Sequence, residues 1–290
     1  MSATRDWPVN VLLTNDDGVD AYGLNALAKA IADSHAVTVA APAAEQSGIG
    51  HAFTFNTPLT YAESRREGLV TFAIRGTPAD CVKFAVSHLL GQRPDVIVSG
   101  INVGENSGTS SIYSGTVAAA REGALWGIPS VAFSVTGSEL SWVDGYAAQS
   151  ALLLEWLTSV DAGRFVRHHA RTFFNVNFPP CAPAQCRGLV LTRQSLAFFD
   201  DHYRAVDEPA AGQGYVLYGE KQDLESSLDY DSRALLDDYA TLTPMGLDAT
   251  DHTALSHLRD LGPAPDVQVN GRAAAAPPDT SSGATGTDSN

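Results

Sequence analysis

Two adjacent carboxylates, Asp16 and Asp17, follow the apolar run Val11-Leu12-Leu13 and stand just before Gly18. Neighbouring anions repel, and partial burial makes each costlier. A solvated turn would use the same residues, since Asn, Asp and Gly all suit turns. A cation held between the two carboxylates is the sharper alternative. Consecutive side chains on a regular strand point to opposite faces, so both acids address one point only where the strand breaks, and Gly18 permits that break.

Two further stretches carry the same oxygen-rich character. Ser47 lies in the polar loop Glu45-Gln46-Ser47-Gly48-Ile49-Gly50-His51. The segment 99–108 spaces glycines at 100, 104 and 108 around Asn102 and Asn106. Glycine lets backbone N–H groups approach an anion, and asparagine offers a carbonyl oxygen to a metal or an amide donor to a phosphate. A floppy surface loop would look similar, and the segment lacks the G-K-[ST] ending of a P-loop. Ser114-Gly115-Thr116 opens the next helical pattern, where free N–H groups and hydroxyls form an anion seat or a simple N-cap, two roles that coexist. Two carboxylates, a serine hydroxyl and an amide oxygen are hard donors, suited to Mg²⁺ or Mn²⁺ rather than Zn²⁺ or copper.

Other chemistries lack their residues. Neither Ser47 nor Ser114 sits in G-x-S-x-G, no H-E-x-x-H occurs, and "NDDG" is not a D-x-D pair. His51 reads as a structural or surface histidine, and Lys83 and Arg121 as solvated helix residues. Cys81, Cys181 and Cys186 have no C-x-x-C spacing and read as cytosolic thiols.

The elements that must position these loops alternate strand and helix. Residues 9–14 form a buried strand. Leu24, Leu27, Ala28 and Ile31 recur at helical spacing, and 36–40 is the next strand, stopped by Pro42. This β-α-β unit favours parallel strands and a right-handed crossover. Residues 52–75 read as a β excursion, with strands in "AFTFNTPLTY" and "LVTFAIR" separated by the charged "ESRREG". Thr77-Pro78-Ala79-Asp80 starts a helix, 95–99 is a core strand, and a strand at 130–134 and a helix over about 146–159 follow. Strands at 172–177 and 189–192 complete a core over 9–195. Residues 196–261 suggest an appended hairpin or oligomerisation element within one catalytic domain, 1–261. The Ala-, Pro-, Gly-, Ser- and Thr-rich tail 262–290 has the composition of a disordered segment. Parallel strands gather ligands at their carboxyl ends, where all three odd loops fall.

Composition excludes some partners. The 290 residues carry 33 Asp and Glu against 18 Lys and Arg, a formal net charge of −15. That argues against a sequence-independent grip on nucleic-acid polymers. No run of about 18 apolar residues suggests a membrane span and the start lacks a secretory h-region, so the expected location is the cytoplasm.

The stretches "LLTNDDGVDAYGLNALAKA", "VAAPAAEQSG", "GTPADCV", "PDVIVSGINVGEN" and "IYSGTVAAAREG", in this order, resemble the SurE family of stationary-phase survival proteins, metal-dependent 5′/3′-nucleotidases. The resemblance is strong over about 9–135. It implies a Rossmann-like α/β core with a largely parallel sheet flanked by helices, and a divalent ion, Mn²⁺ or Mg²⁺, on Asp16, Asp17, Ser47 and Asn102. It implies phosphate contacts at Asn106, Ser114, Gly115 and Thr116; in the expected reaction Asp16 or Asp17 orients or deprotonates the attacking water and Asn106 neutralises charge on the phosphate. It also implies a homodimer or homotetramer exchanging C-terminal elements. The family's C-terminal strand pattern survives only as Asp238–Met245, and "DLESSLDYDSRALL" before it does not align. The expected reaction is hydrolysis of nucleoside 5′-monophosphates, with 3′-monophosphates as a second class. The rival readings are a non-catalytic nucleotide or anion sensor, and a phosphatase for short polyphosphate or sugar phosphates. Tyr113 and Phe53 are the aromatic candidates for holding a base.

Overall fold

Leu12 and its neighbours Val11 and Leu13 are buried on opposite faces of strand β1 (Asn10–Thr14), as its unbroken apolar run requires. The computed structural model describes residues 9–137, 139–159, 171–208 and 212–261; the tail from residue 262 lies outside them. Around β1 is a nine-stranded sheet. On one side lie β2 (Ala36–Pro42), β4 (Leu69–Ile74) and the edge strand β3 (Tyr61–Arg66). On the other lie β5 (Val96–Val103), β6 (Ser130–Val135), β7 (Thr172–Phe178), β11 (Ala240–Gly246) and β8 (Leu189–Leu191). All pairs are parallel except β3 with β4 and β7 with β11.

Both faces are covered. Val11, Leu13 and Val98 pack under α1 (Tyr22–Ala32) and α5 (Leu140–Thr158), with Leu24, Leu27, Ile31 and Tyr146 facing inward. Leu12 and Ile97 pack on the other face against α2 (Pro78–Phe84) and α4 (Gly115–Leu125), the latter preceded by the short helix α3 (Ser110–Tyr113), through Cys81, Val82 and Ala119. α2 starts as expected: Thr77 and Asp80 form a reciprocal capping box with Pro78 at the first turn, and a π-helical turn over Ala85–Leu89 follows. The cysteines are unpaired thiols. No helix among the described residues is long and apolar enough to cross a membrane.

Four boundaries differ from the sequence expectation. The stretch 52–60 is irregular, and the charged segment expected as its separator is instead β3. β3 pairs with β4 alone and its side chains are largely exposed, so charge is tolerated there and discourages edge-to-edge pairing. β2 runs through Pro42 rather than stopping before it, and β5 continues to Val103, past Gly100. α5 begins at Leu140, six residues early. Residues 196–261 supply more than an appendage: β9 (Phe198–Glu208) and β10 (Gly212–Gln222) form the expected hairpin, but β11 inserts into the main sheet between β7 and β8. Between them lies α6 (Asp231–Leu236).

Residues from Asp248 form a separate unit. Its helix α7 (His252–Asp260) is capped by Asp251, which accepts from the Ala254 N–H at 2.8 Å.

Candidate active site

The chain leaves β1 toward β2 and β4, then crosses back to place β5 on β1's other side. The carboxyl ends of β1 and β5 therefore flank the point where strand order reverses, the usual crevice for ligands in an open parallel sheet. The Asp16–Asp17 turn follows β1, and Asn102 is the penultimate residue of β5. The 45–51 loop follows β2, and its Gln46 N–H donates to the Asp16 carbonyl at 2.8 Å, tying the first two loops together. A cleft of about 800 Å³ opens here, lined by Asp16, Asp17, Ser47, Asn102, Asn106 and Ser114. Gly115 and Thr116 lie behind it. A second cleft of about 670 Å³ lies at the amino ends of the strands, beside Asn10, His35 and Pro94, and brings none of these residues together.

Each donor is held by its own neighbours. Asp16, only 3% exposed, accepts from the Thr116 N–H at 2.9 Å on one oxygen and from the Thr116 hydroxyl on the other. Thr116 is thus spent on Asp16 rather than open to a ligand. Gly115 allows this approach, since a Cβ there would stand 2.7 Å from the Asp16 Cβ. Ser114 is the N-cap of α4, accepting from Val117 N–H at 3.1 Å, and still lines the cleft. The Ser47 hydroxyl donates to Glu45 Oε1 at 2.8 Å, leaving its oxygen lone pairs free. Asn102 donates its amide N–H to the Gly104 carbonyl at 2.7 Å. A carbonyl can only accept, so this contact fixes the amide and leaves Asn102 Oδ1 as its free atom.

Electrostatically the cleft is short of positive charge. Burial raises Asp16 above its ordinary range despite the hydrogen bonds from Thr116. Asp17 is pushed up to about 6 by burial, then by the charges of Asp16 and Glu45, against a hydrogen bond from the Val103 backbone. No Lys or Arg is among the described residues that line the cleft. The donors with open lone pairs are thus carboxylate, hydroxyl and amide oxygens around uncompensated negative charge, which fits a hard divalent cation. Only two of the four are of the His, Cys, Asp and Glu types, and no cluster of three such residues with metal-binding geometry occurs among the described residues.

Asn106 is clamped from beneath by residues the sequence did not single out. Its N–H donates to Asn177 Oδ1 at 2.7 Å, and its carbonyl accepts from Asn175 Nδ2 at 2.8 Å, both asparagines lying on β7. Its side-chain amide donates to Ser134 Oγ at 2.8 Å. A hydroxyl can serve equally as donor, so the Asn106 amide can turn to present N–H to an anion in the cleft. The neighbouring backbone is held by the segment 223–236, which the sequence resemblance left unplaced. Asp231 accepts from the Gly108 N–H at 3.1 Å and the Ser195 N–H at 2.9 Å, and the Ser232 hydroxyl lies 3.0 Å from that of Ser107. Lys221 bonds Glu105 at 2.7 Å and Ser107 at 2.6 Å.

Of the remaining candidates, His51, Lys83, Arg121 and Phe53 fall outside the cleft's lining. His51 lies 2.9 Å from the buried Glu122, which also binds Lys83 and Trp126 at 2.9 Å, so His51 anchors its loop. Arg121 is not solvated as expected: burial lowers its pKa, and its guanidinium lies 5.5 Å from the Phe173 ring centroid. Tyr113 lines the cleft, whereas Phe53 packs with Phe55 and under Lys83. The hairpin residues Phe198, Phe199, Asp201, Leu217 and Tyr218 also line it, and nothing in the local sequence marks them.

Comparison with known proteins gives one family. The family described as survival protein SurE matches residues 11–201. A 5′-nucleotidase SurE from Thermosipho africanus is 37% identical over 255 residues, covering 87% of this chain and 97% of that protein. One from Desulfatibacillum aliphaticivorans is 38% identical, covering 87% and 98%. The crystal structure of a SurE protein from Aquifex aeolicus superposes with a TM-score of 0.71 at 32% identity, covering 87% of this chain and 99% of that one.

Proposed function

This chain belongs to the survival protein SurE family and is a 5′-nucleotidase, and we propose that it hydrolyses nucleoside monophosphates with the help of one divalent ion, Mn²⁺ or Mg²⁺. The observation that carries the proposal is the meeting of Asp16, Asp17, Ser47 and Asn102 with Ser114 and Asn106 in one cleft at the strand-order switch. Asp16, Asp17, Ser47 Oγ and Asn102 Oδ1 would hold the ion. When bound, such an ion neutralises a phosphate oxygen and lowers the pKa of water.

The chain's own residues supply the rest. Thr116 fixes the Asp16 carboxylate through two hydrogen bonds, so its orientation does not change as substrate enters. The start of α4 at Ser114 and Gly115 presents the positive end of the helix dipole to the phosphate. Asn106, with its amide turned by Ser134, would donate to an equatorial oxygen as charge grows there. Asp17 has no hydrogen bond to another side chain among the described residues and would orient the attacking water. Nucleoside 5′-monophosphates would be the primary substrates, with 3′-monophosphates as a second class. The exposed Tyr203, Tyr215 and Val216 on the hairpin fit contact with a second copy in a homodimer or homotetramer.

The test is phosphate release from a panel of nucleoside monophosphates with Mn²⁺, Mg²⁺ or EDTA. Release with either metal and none with EDTA is expected. Metal-independent release would overturn the cation's role.

A further inference from the structure

Lys221 grips the two residues that flank Asn106. Its ammonium donates to Glu105 Oε1 at 2.7 Å and to Ser107 Oγ at 2.6 Å, and the Lys221 and Glu105 side chains are only 17% and 18% exposed. Lys221 is next to last in β10, at one foot of the β9–β10 hairpin. The other foot meets the same loop. There the Ala197 carbonyl accepts from the Thr109 N–H at 3.0 Å and from its hydroxyl at 2.9 Å, and Gln194 Nε2 donates to the Gly108 carbonyl at 2.9 Å. Gly108 permits the approach, since a Cβ there would stand 2.7 Å from the Ala197 carbonyl oxygen.

The hydroxyls between the two feet have fixed directions. An ammonium only donates and a carboxylate only accepts, so Ser107, which accepts from Lys221, gives its one proton to Glu105 Oε2 at 2.8 Å. The Ser232 hydroxyl then donates to Ser107 at 3.0 Å, and that of Ser195 to Ser232 at 2.9 Å. All three serines are buried, and a buried network with every member satisfied is rigid. Asp231 adds its grip on the N–H groups of Gly108, Ser195 and Ser232. From the opposite side Asn177 and Asn175 hold the Asn106 N–H and carbonyl. The Asn106 backbone is thus fixed, while its side-chain amide keeps one exchangeable bond, to Ser134.

We infer that Lys221 is a positioning residue for phosphate-ester hydrolysis: by pinning Glu105 and Ser107 it holds the Asn106 backbone still, so that only the side-chain amide moves onto the phosphate. Lys221 lies outside the cleft's lining and acts through Asn106. The inference rests on the proposed role of Asn106 at the phosphate end. The test is a double-mutant cycle on AMP hydrolysis with Mn²⁺. K221M lowers kcat by about 10- to 100-fold, as misplacement of one donor requires, with KM within about twofold, because the Asn106 contact strengthens only as charge grows on the phosphate. Added to N106A, K221M costs less than about twofold more. S107A keeps the Lys221 charge but cuts its link to the loop; it loses kcat likewise and decides the matter where K221M does not fold. An equal loss from K221M with and without Asn106, or wild-type kcat in both K221M and S107A, would overturn the role. No phosphate release by the wild-type enzyme, or wild-type turnover in N106A, would defeat the reading of the phosphate end instead. Amide hydrogen exchange then decides the clamp: faster exchange of residues 106–108 in K221M supports it, and unchanged exchange refutes it.

Discussion

Gly115→Ala tests whether the placement of Asp16, rather than its mere presence, sets the rate. The added Cβ would lie 2.7 Å from the Asp16 Cβ and 3.0 Å from both Asp16 Oδ2 and Pro78 Cγ, where ordinary contact starts at 3.4 Å, a shortfall of about 0.7 Å. Asp16 cannot yield toward solvent, because it is 3% exposed and bonded to Thr116 on both oxygens. Overpacking of this kind costs roughly 1–3 kcal/mol. Alanine recovers about 1 kcal/mol of helix propensity over glycine, so net destabilisation stays below roughly 2 kcal/mol. Catalysis is less forgiving: a misplacement approaching 1 Å costs on the order of 100-fold. The variant should keep a native circular-dichroism spectrum and a melting temperature within a few degrees of wild type, while phosphate release from AMP at saturating Mn²⁺ falls between about 10- and 100-fold. Turnover within twofold of wild type, with the same melting temperature, would show that the placement of Asp16 does not set the rate.

Gly23→Ala probes the packing that seats Asn102: its Cβ would fall 1.9 Å from the Ile101 carbonyl oxygen, backbone against backbone. A cost of roughly 3 kcal/mol or more is expected, seen as a fall of about 6 °C or more in melting temperature, and an unshifted melt would contradict it. Glu122→Gln should destabilise the fold in a pH-dependent way. Burial alone would raise Glu122, but hydrogen bonds from His51 and Lys83 and the charge of Lys83 outweigh it and hold the carboxyl below its usual range. A carboxyl with a folded pKa below its unfolded value contributes stability at pH above the unfolded value and loses it as pH falls through the folded one. The gap in urea-unfolding free energy between wild type and E122Q is therefore largest near neutral pH and closes in acid; a gap independent of pH would refute the assignment.

The chemistry was legible in the sequence because oxygen-rich, glycine-spaced loops interrupt strands whose apolar runs demand burial. Asp16, Asp17, Ser47 and Asn102 meet where parallel strands end, and that rule needs only the strand ends, not their order. What spacing could not supply was lateral order. The side-by-side placement of β5 and β1, which brings Asn102 to Asp17, is a long-range fact. Asn175 and Asn177 did leave a trace, as polar residues poorly suited to strands at i and i+2 in the apolar run "TFFNVNF", a sign of buried partners. Asp231 and Ser232 left none, since an acid and a serine at the start of a short helix look like ordinary capping residues. The charged β3 was misplaced because edge strands obey solvent, not the alternation of a buried face. The hairpin's aromatics were invisible as a cleft wall, because their relevance depends on how β9 and β10 fold back toward a loop nearly 100 residues earlier.

In the proposed centre, oxygen atoms from three separate turns share one divalent ion. Manganese anomalous scattering from crystals grown with Mn²⁺ tests it most directly. A single strong peak is expected within coordination distance of Asp16, Asp17, Ser47 Oγ and Asn102 Oδ1, lost in D17N crystals of the same form. An empty cleft in an enzyme that still releases phosphate, or a peak elsewhere on the molecule, would contradict it.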